Sequence, residues 1–207
     1  MNVAVVYVFP LVNSRIYFPL AQRFTDTWRK FPGSNLHVIC NGSRPVPVEL
    51  RPFDGLGAQF HVHDNSGWDV GAFQLAAETI PCDLLICLGA PVHFHQPEWM
   101  GRMVEAYIQN GPALYGCWAY LAPNWHVRTT VFWCPPQLLQ SYPYVIGSAR
   151  ASRYGFEHGD NSFTRHVLKA GFDCFMVTRT GCYPFDQWDN HAPGVEDSLC
   201  LDQHIHR

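Results

Sequence analysis

The chain has 207 residues, 47% of them apolar, with 14 Lys and Arg against 17 Asp and Glu, a formal net charge of −3. That length supports one good-sized core but not two comfortable ones, and the apolar content excludes a disordered chain. The low charge excludes a nucleic-acid binder that depends on a basic face, while a phosphorylated small molecule stays open because backbone N–H groups can hold phosphate without lysine.

In chain order, Val3–Phe9 is a continuous β-branched run and predicts a strand covered on both faces. Pro19–Phe31 predicts a helix with Leu20, Phe24, Trp28 and Phe31 on one stripe, stopped at Pro32-Gly33. "LHVIC" is a second strand, and the proline-rich segment from Ser43 to Gly57 reads as loop. "AQFHVH" is a third strand, Asp69–Ile80 a helix, and "DLLICLG" a fourth strand. Trp99, Met103, Val104 and Tyr107 mark a further helix, closed by Asn110-Gly111-Pro112. "ALYGCWAYL" and "HVRTTVFWC" read as two strands joined through Ala122-Pro123-Asn124, and the segment from Pro143 to Phe156 reads as loop. Asn161–Lys169 is a helix stopped by Gly171, "FDCFMV" a last strand, and the tail from Gly181 is irregular.

Strands alternating with helices predict a single α/β domain, residues 1–207, with a mostly parallel central sheet flanked by helices. In such sheets ligands sit at the carboxyl ends of the strands, which selects the loops after Phe9, Cys40, His63, Leu88 and Cys134, and Pro10 with the first of them. No apolar run approaches the roughly 18 residues of a membrane span. The N-terminus is not a persuasive signal peptide. None of the eight cysteines forms a CxxC pair, and several lie in apolar runs, so reduced, buried thiols in the cytosol are expected.

The stretch "DNSGWDVGAFQ" sits at one of those strand ends and opens a helix. Gly67 and Gly71 allow backbone to approach a ligand, Asp69 is placed to cap or start the helix, and the Asn65 amide can turn the chain. A capped helix after an Asx turn accounts for the same residues without a ligand.

"ICNGS" after the second strand and "NSGWDVGAF" after the third resemble the nucleotide-sugar half of a GT-A (Rossmann-like) glycosyltransferase, in the broad manner of family 2. "DLLICLGAPVHFHQPEWMGRMVEAYIQNGPALYGCW" is similar to that family's next segment, and "HVRTTVFWCPP" with "RYGFEHGDNSFTRHVLKAGF" to its acceptor half. The likeness runs from about Val3 to Val177. It implies a nucleotide-sugar half at about 1–95, an acceptor half at about 96–180, and transfer of a sugar to a glycan or lipid-linked acceptor in surface-polysaccharide synthesis. The implied setting is the cytoplasm, at most peripheral to the inner membrane surface. Pro10, Asn41, Asn65, Gly67 and Asp69 would line the donor side.

The family's D-x-D triplet, which holds Mn²⁺ or Mg²⁺, falls at Gly89-Ala90-Pro91, where no side chain can ligate a hard cation. Either other groups hold a metal or none is required, in which case Arg128 would assist the diphosphate. Glu157, flanked by Phe156 and His158 in what reads as a Gly-bearing loop, is the favoured base, and Asp160 a helix cap or acceptor contact. His126, Thr129, Trp68 and Trp125 are candidate acceptor or phosphate contacts. The H-x-H pairs His61/His63, His93/His95 and His204/His206 suit a metal, since strand positions two apart share a face. They support a rival metallohydrolase, or a transferase in which His93 or His95 replaces the acidic ligands. A nucleotide-sugar-binding module without catalysis is the third reading.

Overall fold

The computed structural model describes residues 1–121, 124–148, 150–190 and 194–203. Its elements run β1 (Val3–Pro10), α1 (Ser14–Lys30), β2 (Leu36–Asn41), the one-turn α2 (Pro47–Leu50), β3 (Gln59–His63), α3 (Trp68–Thr79), β4 (Leu84–Leu88), β5 (Val92–His93) and α4 (Trp99–Asn110). Then come β6 (Leu114–Gly116), β7 (Ala119–Tyr120), β8 (His126–Val127), β9 (Val131–Cys134), α5 (Pro136–Gln140), α6 (Arg150–His158), α7 (Phe163–Lys169), β10 (Cys174–Val177), β11 (Cys182–Pro184) and β12 (Leu201–Asp202).

Eight strands form one sheet in the order β11-β10-β6-β9-β4-β1-β2-β3. β1 runs parallel to β2 and β4, β2 to β3, and β6 to β10. β9 lies antiparallel between β4 and β6, and β11 antiparallel at the edge. The protein is therefore a single α/β domain with a mostly parallel central sheet flanked by helices. Alternation along β1 explains the layering: Val5, Tyr7 and Phe9 face one core, Ala4, Val6 and Val8 the other. The first core packs under α1 and α4 through Phe24, Trp28, Trp99 and Met103. The second packs under α3, α5, α6 and α7 through Phe73, Leu138, Phe156 and Phe163. A continuous apolar strand is what a sheet buried on both faces requires.

Several sequence expectations change: the segment read as loop from Ser43 to Gly57 holds α2, "ALYGCWAYL" divides into β6 and β7, the tail read as irregular holds β11 and β12, and four further changes bear on the site. First, α1 starts at Ser14, leaving Pro19 inside the helix. The missing proline N–H costs one helical bond, and burial of Leu20, Ala21, Phe24 and Trp28 on the same stripe outweighs it. Second, "HVRTTVFWC" is not one strand: it breaks at a turn over Arg128–Thr130, so β8 pairs with β7 in a separate ribbon while β9 enters the main sheet. Third, residues 150–158 are helical rather than loop. Fourth, α7 begins at Phe163, capped by Ser162, whose Oγ accepts from the Arg165 N–H at 3.4 Å.

The described parts of the tail are held by specific contacts. β12 pairs with β5, setting Asp202 opposite Val92. Trp118 Nε1 donates to Ser198 Oγ (3.2 Å), Gln96 Nε2 to the Ser198 carbonyl (2.6 Å), and Cys117 Sγ lies 3.5 Å from Cys200 Sγ. All eight cysteines are free thiols. Burial pushes Cys40 up to about 12 and Cys82 up to about 11, which keeps both protonated and unreactive. Among the described residues no helix is long and apolar enough to cross a membrane.

Candidate functional site

A cavity of about 210 Å³ opens at the carboxyl ends of β1, β2 and β4. β1 contributes Val8 and Pro10, β2 contributes Asn41, and the turn into α3 contributes Asn65, Trp68 and Asp69. Ala90 and Pro91 follow β4, Arg128–Thr130 form the turn between β8 and β9, Arg153 and Glu157 project from α6, and Asp202 comes from β12. Tyr17 of α1 completes the wall.

The turn before α3 is strained and tightly held. Asn65, Gly67 and Trp68 all have positive φ, at 70°, 72° and 60°. For a bulky residue such as Trp68 this costs on the order of 1–3 kcal/mol, and it persists only where the surroundings over-determine it. They do so here. Asn41 Nδ2 donates to the Trp68 carbonyl (3.0 Å), and Trp68 Nε1 donates to the Ser148 carbonyl (2.9 Å). Because the Asn41 amide nitrogen faces a carbonyl, its oxygen faces His63 Nδ1 at 2.7 Å, a ring nitrogen that also lies 3.2 Å from the Asn65 backbone nitrogen. Both polar ends of the Asn41 side chain thus brace the turn. The Asx turn belongs to Asp64 rather than Asn65: Asp64 Oδ1 accepts from the Ser66 N–H at 2.8 Å and its hydroxyl at 2.5 Å. Gly67 is required twice, by its φ and because a Cβ there would lie 2.7 Å from the Ile146 carbonyl oxygen.

Glu157 lies on α6, not in a loop. Its Oε1 is 3.4 Å from Arg128 Nε and accepts from the Thr129 N–H at 3.3 Å, with the side chain only 12% exposed. The Arg128 guanidinium also lies over the Tyr120 ring, 5.4 Å from its centroid. Asp69 is the second residue of α3, not its N-cap, which is Gly67. Burial is the main force raising its affinity for a proton; Arg153 opposes that shift and Glu157 adds to it.

The fold brings Pro10, Asn41, Asn65, Trp68, Asp69, Arg128, Thr129 and Glu157 to one cavity. The remaining candidates fall outside its lining. Gly67 acts through its backbone. Asp160 is exposed, pairs with Arg165 Nη1 at 2.8 Å and caps nothing, since Ser162 holds that place. His126 is 2% exposed, its Nδ1 donating to the Asn124 carbonyl at 2.7 Å, and burial chiefly lowers its proton affinity. Trp125 packs edge-on against Trp188. Among the described residues the histidine pairs of β3 and β5 build no metal centre: His61 Nε2 lies 3.0 Å from His37 Nδ1, His63 lies against Asn41, and His93 is buried on β5. His95 also lies outside the cavity. His204 and His206 lie outside the described residues.

The described side chains do not by themselves assemble a site for a divalent cation. The triplet position presents Ala90 and Pro91, with Asp202 as the one carboxylate brought beside it by strand pairing. Among the described residues no three His, Cys, Asp or Glu side chains converge.

Sequence reasoning missed Arg153, Tyr17, Thr130 and Asp202. Arg153 was within reach: it stands four residues before Glu157, so a helical reading of "RASRYGFEH" places both on one face.

No protein-family model matches the sequence, and no curated protein matches it. Solved structures do match in fold. A mannosyltransferase from Pyrobaculum calidifontis, in complex with GDP-Man and Mn²⁺, superposes with a TM-score of 0.61 at 11% identity, covering 86% of this chain and 56% of that one. A cytidylyltransferase from Leptospira borgpetersenii gives 0.60 at 12% identity, covering 99% of this chain and 82% of its own. Mouse xyloside xylosyltransferase 1 gives 0.51 at 9% identity, with 83% and 82% covered. At such identities the likeness speaks for the fold: a GT-A-like domain of the kind shared by glycosyltransferases and nucleotidyltransferases.

Proposed function

We propose that this chain is a glycosyltransferase of the family 2 kind. It moves a sugar from a nucleotide-diphosphate donor to a hydroxyl of a glycan or lipid-linked acceptor, in surface-polysaccharide synthesis. The observation that carries this reading is Glu157, a nearly buried carboxylate fixed by Arg128 and the Thr129 N–H, opposite the strand ends of β1 and β2.

In the reaction the acceptor oxygen bonds to the anomeric carbon as the bond from that carbon to the diphosphate oxygen breaks. The hydroxyl proton passes to Glu157, and the electron pair leaves with the diphosphate. Arg128 keeps the Glu157 carboxylate aimed and adds positive charge near the departing group. The strained Asn65–Trp68 turn presents a rigid rim to the nucleotide. No step is routed through a metal, because the described side chains do not form a metal site.

The test is thermal unfolding with UDP, GDP, CDP and dTDP, each with EDTA and with Mn²⁺. A donor nucleotide at 100 times its Kd stabilises the fold by about 2.7 kcal/mol, roughly 5–10 °C for a domain of this size. One base should shift Tm well above the others, and a shift that survives EDTA fits a diphosphate site built on arginine. A shift without turnover of any nucleotide sugar identifies a binding module instead. Release of pyrophosphate from a nucleoside triphosphate and a sugar phosphate would replace this reading with nucleotidyl transfer.

A further inference from the structure

Asp69 and Arg153 form an arrangement that the transfer step above does not use. Asp69 Oδ1 is shielded from solvent and has no hydrogen-bond partner among the described residues, yet its residue lines the cavity. A buried acceptor left in that state costs about 1–3 kcal/mol, so it marks a place where something else completes the site. Arg153 lines the same cavity. The Arg153 guanidinium lies over the Trp68 ring at 5.6 Å and the Tyr154 ring at 5.9 Å from their centroids. It makes no salt bridge among the described residues, whereas Arg128 is paired with Glu157. That leaves its N–H fork available for a phosphate.

We propose that Arg153 and Asp69 together form a phosphate subsite of the cleft: Arg153 binds the anion, and Asp69 takes up a proton from solvent as the anion enters. This rests on the reading of the cleft as a diphosphate site. The ionised carboxylate repels a polyanion sharing its cavity. The protonated one does not, and its O–H can donate to a phosphate oxygen. Other charged or titratable groups lining the cavity are Glu157 on α6, Arg128 in the β8–β9 turn, Asp202 on β12 and Tyr17 on α1; His63 and Asp64 precede the turn. Burial raises the Asp69 carboxyl's affinity for a proton, so affinity for the anion rises as pH falls toward its titration.

Inorganic pyrophosphate, titrated by calorimetry into the full chain in EDTA from pH 5 to 8, tests this. Arg153→Gln should weaken binding about tenfold or more, the loss of a charge-assisted contact. Arg153→Lys, which keeps the charge without the fork, should fall between and covers the case in which the glutamine variant misfolds. Asp69→Asn should bind several-fold tighter than the native chain at pH 8. Its profile also reports pyrophosphate's own titration, so the difference between the two profiles belongs to Asp69. An Asp69→Asn variant that binds no tighter, or a native chain that binds no pyrophosphate, overturns the proposal. Pyrophosphate binding that behaves as described, without sugar transfer from any nucleotide-diphosphate sugar, leaves the phosphate subsite standing and removes the function.

Discussion

Glu157→Gln is expected to lower kcat by about 10²–10⁴-fold, the range for a lost general base. The substitution is nearly isosteric. The glutamine oxygen can still accept from the Thr129 N–H, but it cannot take a proton and no longer neutralises Arg128. Because the carboxylate touches the acceptor hydroxyl only as that hydroxyl loses its proton, kcat and kcat/KM should fall together, with donor affinity changed little. That pattern separates a base from a residue that merely positions Arg128, whose loss would raise KM for the donor. Steady-state kinetics with the donor found by the nucleotide panel make the measurement. A kcat within tenfold of the native value would remove Glu157 as the base.

Gly71→Ala should be the most damaging of the small substitutions. A Cβ at Gly71 would stand 1.9 Å from the Ser66 carbonyl oxygen and 3.0 Å from its carbon. The obstacle is backbone, so no rotamer change relieves it. Alanine is worth up to about 1 kcal/mol over glycine inside a helix. Overpacking of this kind costs about 1–3 kcal/mol when side chains can yield, and here the yielding part would be the Asp64–Trp68 turn. We expect Tm to fall by roughly 5–10 °C and nucleotide binding to weaken with it. Gly101→Ala is the matched control: it also lies in a helix, a Cβ there meets nothing within 4 Å, and it should hold or raise Tm. If the two variants melt alike, the close approach of turn and helix is not a constraint on the fold.

Much of the scaffold could be read from residue pattern because local signals and tertiary demands agreed. The runs that became β1 and β4 are apolar throughout, and β2 is apolar but for His37 and Asn41, as strands buried on both faces require. α3 and α4 carry helical spacing and clear stops. The rule that ligands meet strand carboxyl ends then placed Pro10, Asn41, Asn65 and Asp69 on one rim. α6 was hidden for a physical reason. "RYGFEH" contains a glycine and aromatics, weak helix formers, after a segment rich in proline and glycine. What holds it helical is tertiary: Phe156 is fully buried against Tyr142 and Phe163. With the helix went Arg153. Asp202 reaches the cavity only because β12 pairs with β5 across more than a hundred residues, and local pattern does not report such pairing. Pro19 misled in the opposite sense, as a plausible helix start that packing carries inside a longer helix.

The antiparallel insertion of β9 has a consequence for how the chain is made. β6 is synthesised before β9 but joins the sheet on its far side, so it reaches the first parallel block only through residues 131–134. While a nascent chain is shorter than that, β1 to β4 can assemble with α1 and α3, but the outer edge of β4, Leu-Leu-Ile-Cys-Leu, stays open. An apolar strand edge of that kind invites pairing with another copy. The interval between emergence of Leu88 and of Cys134 is thus the window in which that edge is open to another chain.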